Sequence, residues 1–348
     1  MNTTKFAEVS IIRTFAVILV AFIQHSYAPY AISWNFIPGI PNNLLIYYGI
    51  MATIFNNISM PLLIFISGYL YTKLYIENGK YHSYSKLINN KIHRLLIPAY
   101  IFGAFFSLTL NPDFFTLSNL SDIINGYAHL WYLPSLFWCF VFAPLFIKRK
   151  RKIIEVILLF MTFCFIYVPL PRVLGLNFHI YLFYFVLGIN IAKYQNILRY
   201  LDNVGHKLLL FITIICLFIL CIYDKNGYTG NSLLLFPYNE KIIVIIRNMY
   251  RLTAIISILT LTIKFANKFD ITNNIFFHFL DRTSFGVYVF HMWIMWLLFK
   301  NNSISEYVIP FAREHYIIFP YIYFCVAFIL SIIITIIVKR IKPISSIL

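Results

Sequence analysis

Apolar runs about twenty residues long recur down the chain, separated by short polar stretches. A helix needs about 20 mostly apolar residues to cross the roughly 30 Å hydrocarbon core of a bilayer. That ruler picks out ten candidate spans, centred near residues 19, 66, 103, 139, 161, 185, 215, 254, 292 and 328. The pattern predicts an all-α polytopic membrane helix bundle. One apolar stretch is left over, "LLIYYGIMATIFNN" at residues 44–57, which either lengthens the second span or lies along the interface. Nothing before, between or after the apolar runs resembles a soluble domain, so a single transmembrane domain over residues 1–348 is expected. The first run carries Arg13 and no small-residue cleavage site after it, and is expected to be a retained span.

Composition agrees with the pattern: 61% of the 348 residues are hydrophobic and 11% charged, where a soluble domain is about 25% charged. The net charge of +16 would suit a nucleic-acid partner, but its distribution excludes one. Lys and Arg concentrate in alternate loops. Lys80, Lys86, Lys91 and Arg94 follow span two, "KRKRK" (148–152) follows span four, and Lys193, Arg199 and Lys207 follow span six. Lys264, Lys268 and Arg282 follow span eight, and "KRIK" (339–342) closes the chain. An opposite loop, residues 111–129, holds Asp113 and Asp122 but no Lys or Arg. By the positive-inside rule both termini face the cytoplasm. Cys139, Cys164, Cys216, Cys221 and Cys325 all lie in apolar stretches without a CxxC pair or zinc-like spacing, so no metal is expected. The internal repeats and paired broken helices that mark secondary transporters are missing from the pattern.

Against this apolar background the ionisable residues need a reason, because a charge in hydrocarbon costs several kcal/mol or more. Arg13 opens span one and His25 lies twelve residues on, about 18 Å further out along a helix. Arg13 reads either as an interfacial anchor or as a functional cation, and His25 either as a packed structural histidine or as a base. In span nine Ser284, Tyr288 and His291 fall at i, i+4 and i+7, one helix face that should point into the bundle. Lys91 and Arg94, i and i+3 at the start of span three, either mark the cytoplasmic side or cradle one anion together. Arg247 and Arg251, four residues apart near the outer end of span eight, call for an anionic substrate group, a lipid headgroup or protein carboxylates. The chain has only twelve carboxylates to offer.

Several stretches together resemble the membrane acyltransferase-3 family. "RTFAVILVAFIQH" (13–25) is similar to its first-helix arginine-then-histidine stretch, and "MPLLIFISGYLY" (60–71) to its proline-then-Ser-Gly second helix. "KIHRLLIPAY" (91–100) resembles its basic-x-x-Arg-Leu stretch ending in Pro, and "HLWYLPSLF" (129–137), with Trp131, its Trp-x-Leu-Pro entry to the fourth helix. "YFVLGINIAKY" (184–194) and "TSFGVYVFH" (283–291) complete the series in order. The resemblance implies an O-acyltransferase of the bacterial plasma membrane that takes an acyl group, usually acetyl, from cytoplasmic acyl-CoA. It passes that group to a hydroxyl of a cell-surface or secreted polysaccharide or its lipid-linked precursor. Carried onto this chain, His25 is the catalytic histidine, and Arg13, Lys91 and Arg94 contact the donor. Tyr288, Ser284 or His291 orients the imidazole or stabilises the oxyanion, and Trp131, Ser284, Arg247 and Arg251 are candidate acceptor or anion contacts.

Acetyl-CoA is then a co-substrate rather than a resident cofactor, and the partners are a glycan, membrane lipid and a candidate second copy of the chain. Acyl transfer to a sugar hydroxyl needs a base working near neutral pH, which an imidazole supplies. A polysaccharide or lipid-linked sugar exporter is the competing function. One departure stands out: ten residues usually separate the family's arginine and histidine, whereas eleven lie between Arg13 and His25, and Gln24 takes the family position. In a continuous α-helix the extra residue would leave the two side chains about 120° apart. Either a one-residue bulge restores the register, or Arg13 and His25 do not share one substrate contact.

Overall fold

The computed structural model describes residues 6–30, 34, 36–37, 41–110, 116–149, 151–169, 178–194, 196, 205–229, 240–269, 271, 274–341 and 348. These contain thirteen α-helices and, among the described residues, no strand. In order they are α1 Ala7–Leu19, α2 Asn42–Glu77, α3 Tyr84–Lys91, α4 Ile97–Leu110, α5 Leu117–Asn125, α6 Tyr132–Ile147 and α7 Lys152–Phe165. There follow α8 Phe178–Lys193, α9 His206–Thr229, α10 Glu240–Lys268, α11 Ile275–Lys300, α12 Asn302–Glu314 and α13 Phe319–Lys339. Two π-helical turns, Val20–Gln24 and Ile92–Leu96, continue α1 and join α3 to α4.

In hydrocarbon every backbone N–H and C=O must be paired within the protein, and a helix pairs them within itself. Among the described residues five helical stretches are long and apolar enough to cross a bilayer: Tyr84–Leu110, Ala128–Ile147, His206–Tyr223, Ile242–Lys268 and Phe319–Lys339. Phe211, Ile214 and Phe218 of α9 and Ile153, Val156 and Phe160 of α7 are exposed, as residues against lipid tails should be. The left-over stretch 44–57 joins the second predicted span in one helix: α2 runs 36 residues, about 54 Å. Arg199, Lys150, Lys342 and Asp113, used to orient the chain, lie outside the described residues.

The chain packs as two compact units, Met1–Pro61 with Arg199–Ile333, and Leu62–Leu198 with Ile334–Leu348. In the second, α8 packs against α6 and α7, and glycines set its approach to the C-terminal half of α2. A Cβ on Gly68 would collide with the backbone of Phe185, and one on Gly188 with the backbone of Phe65 and Tyr69. Small residues that let two backbones touch are how membrane helices gain packing energy without a hydrophobic drive. At one end of the same unit Lys193 donates to the carbonyls of Phe146 and Arg149, beyond the last bonds of α6, and to Glu155 of α7 at 2.9 Å. Tyr194 donates to the other oxygen of Glu155 at 2.7 Å. One buried carboxylate and one ammonium thus tie α6, α7 and α8 together.

In the first unit α1 packs against α10 and α11, and α9 pairs along α10. Buried tyrosines lace it by donating to backbone carbonyls: Tyr30 to Ala312, Tyr48 to Tyr316, Tyr250 to Ile54 and Tyr323 to Met295, at 2.6–3.1 Å. Each ring fills apolar space while its hydroxyl finds an acceptor, which a buried tyrosine requires.

Candidate active site

Two polar rungs join α1 to α11 inside the first unit. At the lower, Arg13 Nη2 meets Asp281 Oδ1 at 2.5 Å, with the arginine side chain 42% exposed and the aspartate 13%. At the upper, His25 Nδ1 lies 2.7 Å from His291 Nε2. Because Arg13 pairs with Asp281 and His25 with His291 in the same chain order, the two helices run parallel here. Both imidazoles are buried, meeting edge to edge with their planes 19° apart and centroids 4.9 Å apart.

His25 reaches the upper rung because of the π turn. Twelve purely α-helical steps from Arg13 would swing it about 120° away. The turn Val20–Gln24 closes i→i+5 bonds and so absorbs one residue, which brings His25 back to within about 20° of the Arg13 face. The bulge alternative is therefore the one realised: His25 faces α11 rather than lipid.

The hydrogen-bond chain fixes which nitrogen carries each proton. His291 Nδ1 lies 2.9 Å from the carbonyl oxygen of Val287. A carbonyl can only accept, so His291 Nδ1 holds a proton and, in the neutral ring, Nε2 offers its lone pair. His25 Nδ1–H then donates to His291 Nε2, and in the neutral His25 ring Nε2 is the unprotonated nitrogen. A base oriented by a second ring, itself oriented by a backbone carbonyl, is the arrangement that general-base catalysis needs.

The other expected residues sort by position. Tyr288 is buried one turn below His291, ring centroids 6.2 Å apart. Ser284 turns its hydroxyl onto the Asp281 carbonyl at 2.8 Å, within its own helix. In the second unit, Lys91 lays its ammonium 3.7 Å above the Phe140 ring, whereas Arg94, in the π turn Ile92–Leu96, is exposed. Trp131 packs on Tyr181 at 5.4 Å, at the end of a turn that only glycine fits: Gly126 has φ +91, and a Cβ there would strike the Trp131 backbone. Arg251 donates to two buried amides, Asn57 Oδ1 at 3.0 Å and Asn248 Oδ1 at 3.3 Å, and Arg247 is half-buried one turn away.

Two members of the site were not foreseen. Asp281 stands at i, with Ser284, Tyr288 and His291 at i+3, i+7 and i+10, so the same helix face that flagged those three carries it too. Trp34 stacks over the His25 ring at 5.9 Å and 20°. It comes from the stretch between α1 and α2, where no periodic pattern assigns a direction to a side chain.

A helical membrane protein with a buried, backbone-anchored imidazole pair has the equipment of an acyl-transfer catalyst. The family model for an acyltransferase domain matches residues 6–340. The chain belongs to the acyltransferase-3 family and is a membrane acyltransferase. No curated protein and no solved structure matches it.

Proposed function

We propose that this protein moves an acyl group, most simply acetyl, from cytoplasmic acyl-CoA to a hydroxyl of a cell-surface or secreted polysaccharide or its lipid-linked precursor, in a bacterial plasma membrane. The observation that carries the proposal is the proton chain from His25 through His291 to the Val287 carbonyl. His25 Nε2 takes the proton of the acceptor hydroxyl as its oxygen attacks the thioester carbon. The carbon–sulfur bond then breaks, and the leaving thiolate recovers that proton from His25. While His25 is an imidazolium, its Nδ1–H bond to His291 becomes charge-assisted, and such bonds are roughly twice as strong as neutral ones.

In this scheme Tyr288 supports the imidazole pair. Arg13, braced by Asp281 yet half-exposed, and the exposed Arg94 are suited to the phosphates of CoA, which an arginine fork holds well. Lys91 adds positive charge near Arg94, while Trp131 and Ser284 are the acceptor-side candidates. The test is mass spectrometry of the surface glycan from cells carrying the wild-type gene, a deletion, or His25→Ala. Ester groups are expected in the first sample alone. Unchanged ester content with His25→Ala, in protein shown to be present in the membrane, would sink the proposal.

A further inference from the structure

Arg13, Lys73 and Lys193 each meet a carboxylate. Arg251 does not. It lies on α10, whose Lys264 and Lys268 mark the cytoplasmic end in the orientation given by the positive-inside rule. It sits seventeen residues before Lys268, about 25 Å up the helix. Among the described residues its guanidinium donates to the uncharged amides of Asn57 and Asn248, both buried. Its Nε is buried without a hydrogen-bond partner, and among the described residues Arg251 and Arg247 form no ion pair. The amides hold the fork in a set direction and leave its charge intact.

Two cations at i and i+4 on one helix face repel each other, and an exposed stretch of hydrocarbon is the costliest place for them. Tyr250 fixes this turn of α10 by donating to the Ile54 carbonyl at 3.1 Å, so the arginines are not free to withdraw. Three of the five guanidinium N–H donors of Arg251 remain beyond the two amide bonds. On the opposite side of the same helix Ile242, Ile245 and Met249 are exposed apolar residues, so α10 borders hydrocarbon there. An anion that arrives here has to bring apolar surface with it.

We propose that Arg251 and Arg247 form a binding site for a phosphate carried on a long apolar chain, in the outer half of the membrane. Two sources share that chemistry: an ordinary phospholipid headgroup and the phosphate of a lipid-linked glycan. The site does not depend on acyl transfer, and its test uses no acyl donor.

The purified protein in a maltoside detergent, which carries no phosphate, is titrated with phosphatidylglycerol, phosphatidylcholine or a long-chain prenyl phosphate. Diacylglycerol and the prenyl alcohol are the chain-matched neutral controls, and bound lipid is counted by native mass spectrometry. The phosphate-bearing lipids are expected to bind roughly ten- to hundredfold more tightly than their neutral counterparts, as a charge-assisted pair gives. Arg251→Gln should abolish the difference and Arg251→Lys keep part of it. Arg247→Gln, at a half-buried position, should lower it several-fold and serves if Arg251→Gln fails to fold. A preference for the prenyl phosphate assigns the site to a lipid-linked glycan, and equal binding of all three phosphates assigns it to bulk lipid. Neutral lipids bound as tightly as their phosphates, or phosphate binding unchanged in both glutamine variants, would overturn the proposal.

Discussion

Replacing His291 by Leu fills much of the ring's volume and removes the acceptor for His25 Nδ1–H. In the resting protein that leaves a buried donor without its 2.7 Å partner, a cost of about 1–3 kcal/mol. In the transition state the loss is a charge-assisted bond to a forming imidazolium, about 1.5–3 kcal/mol. The rate feels only the difference between the two losses, about 1–1.5 kcal/mol when a neutral bond is set against a charge-assisted one, so with about 1.4 kcal/mol per tenfold kcat is expected to fall roughly tenfold. His25→Ala removes the base itself and should cost about 10²–10⁴-fold. The assay is glycan-dependent release of the CoA thiol by protein in nanodiscs, with glycan taken from cells lacking the gene and thermal unfolding measured alongside. His291→Gln, whose amide oxygen can accept, should recover part of the rate. The double variant should be no slower than His25→Ala, since residues acting as one unit are not additive. Wild-type kcat in a well-folded His291→Leu protein would refute the proton chain, as would equal, additive losses.

Deleting Ala21 from the π turn lets the segment close as α-helix with His25 still facing α11, so glycan acylation should survive within roughly tenfold. Inserting one alanine there turns His25 by about 100°, and the same assay should read the level of His25→Ala; survival of that variant would contradict the register argument. Glu155→Gln or Lys193→Met breaks a buried pair, at 4% and 11% side-chain exposure, and should lower unfolding stability by about 3–5 kcal/mol. An unchanged melting temperature would mean that the tie between α6, α7 and α8 contributes little. Gly188→Val, which drives a side chain into the Phe65 and Tyr69 backbone, should yield no monodisperse protein. Gly103→Ala, whose Cβ would stand 3.3 Å from that of Tyr127, should fold; size-exclusion profiles in detergent compare them.

Much of the site was legible because helices convert spacing into direction. Ser284, Tyr288 and His291 share a face by arithmetic alone, and Asp281 could have been found by continuing the same count. Arg13 and His25 were legible as a pair but not in register, since a π turn leaves no residue-type signal that would announce Val20–Gln24. Trp34 was not legible at all, because it lies between helices. Lys91 illustrates another gap: its spacing from Arg94 left open a marker of the cytoplasmic side or a shared anion cradle, and nothing in it announced that the ammonium lies over the Phe140 ring of α6.

The sequence by itself determined that this is a helical membrane protein, since hydrocarbon tolerates few other backbones and the apolar runs have the length of a bilayer. It also marked which polar residues had to have a purpose, because burying them is costly. Tertiary structure alone decided their partners. Only packing could bring His291, 266 positions further along the chain, to 2.7 Å from His25. Only the Val287 carbonyl could then settle which nitrogen of a neutral His25 is left unprotonated, because an acceptor that cannot donate fixes the tautomer of the rings behind it.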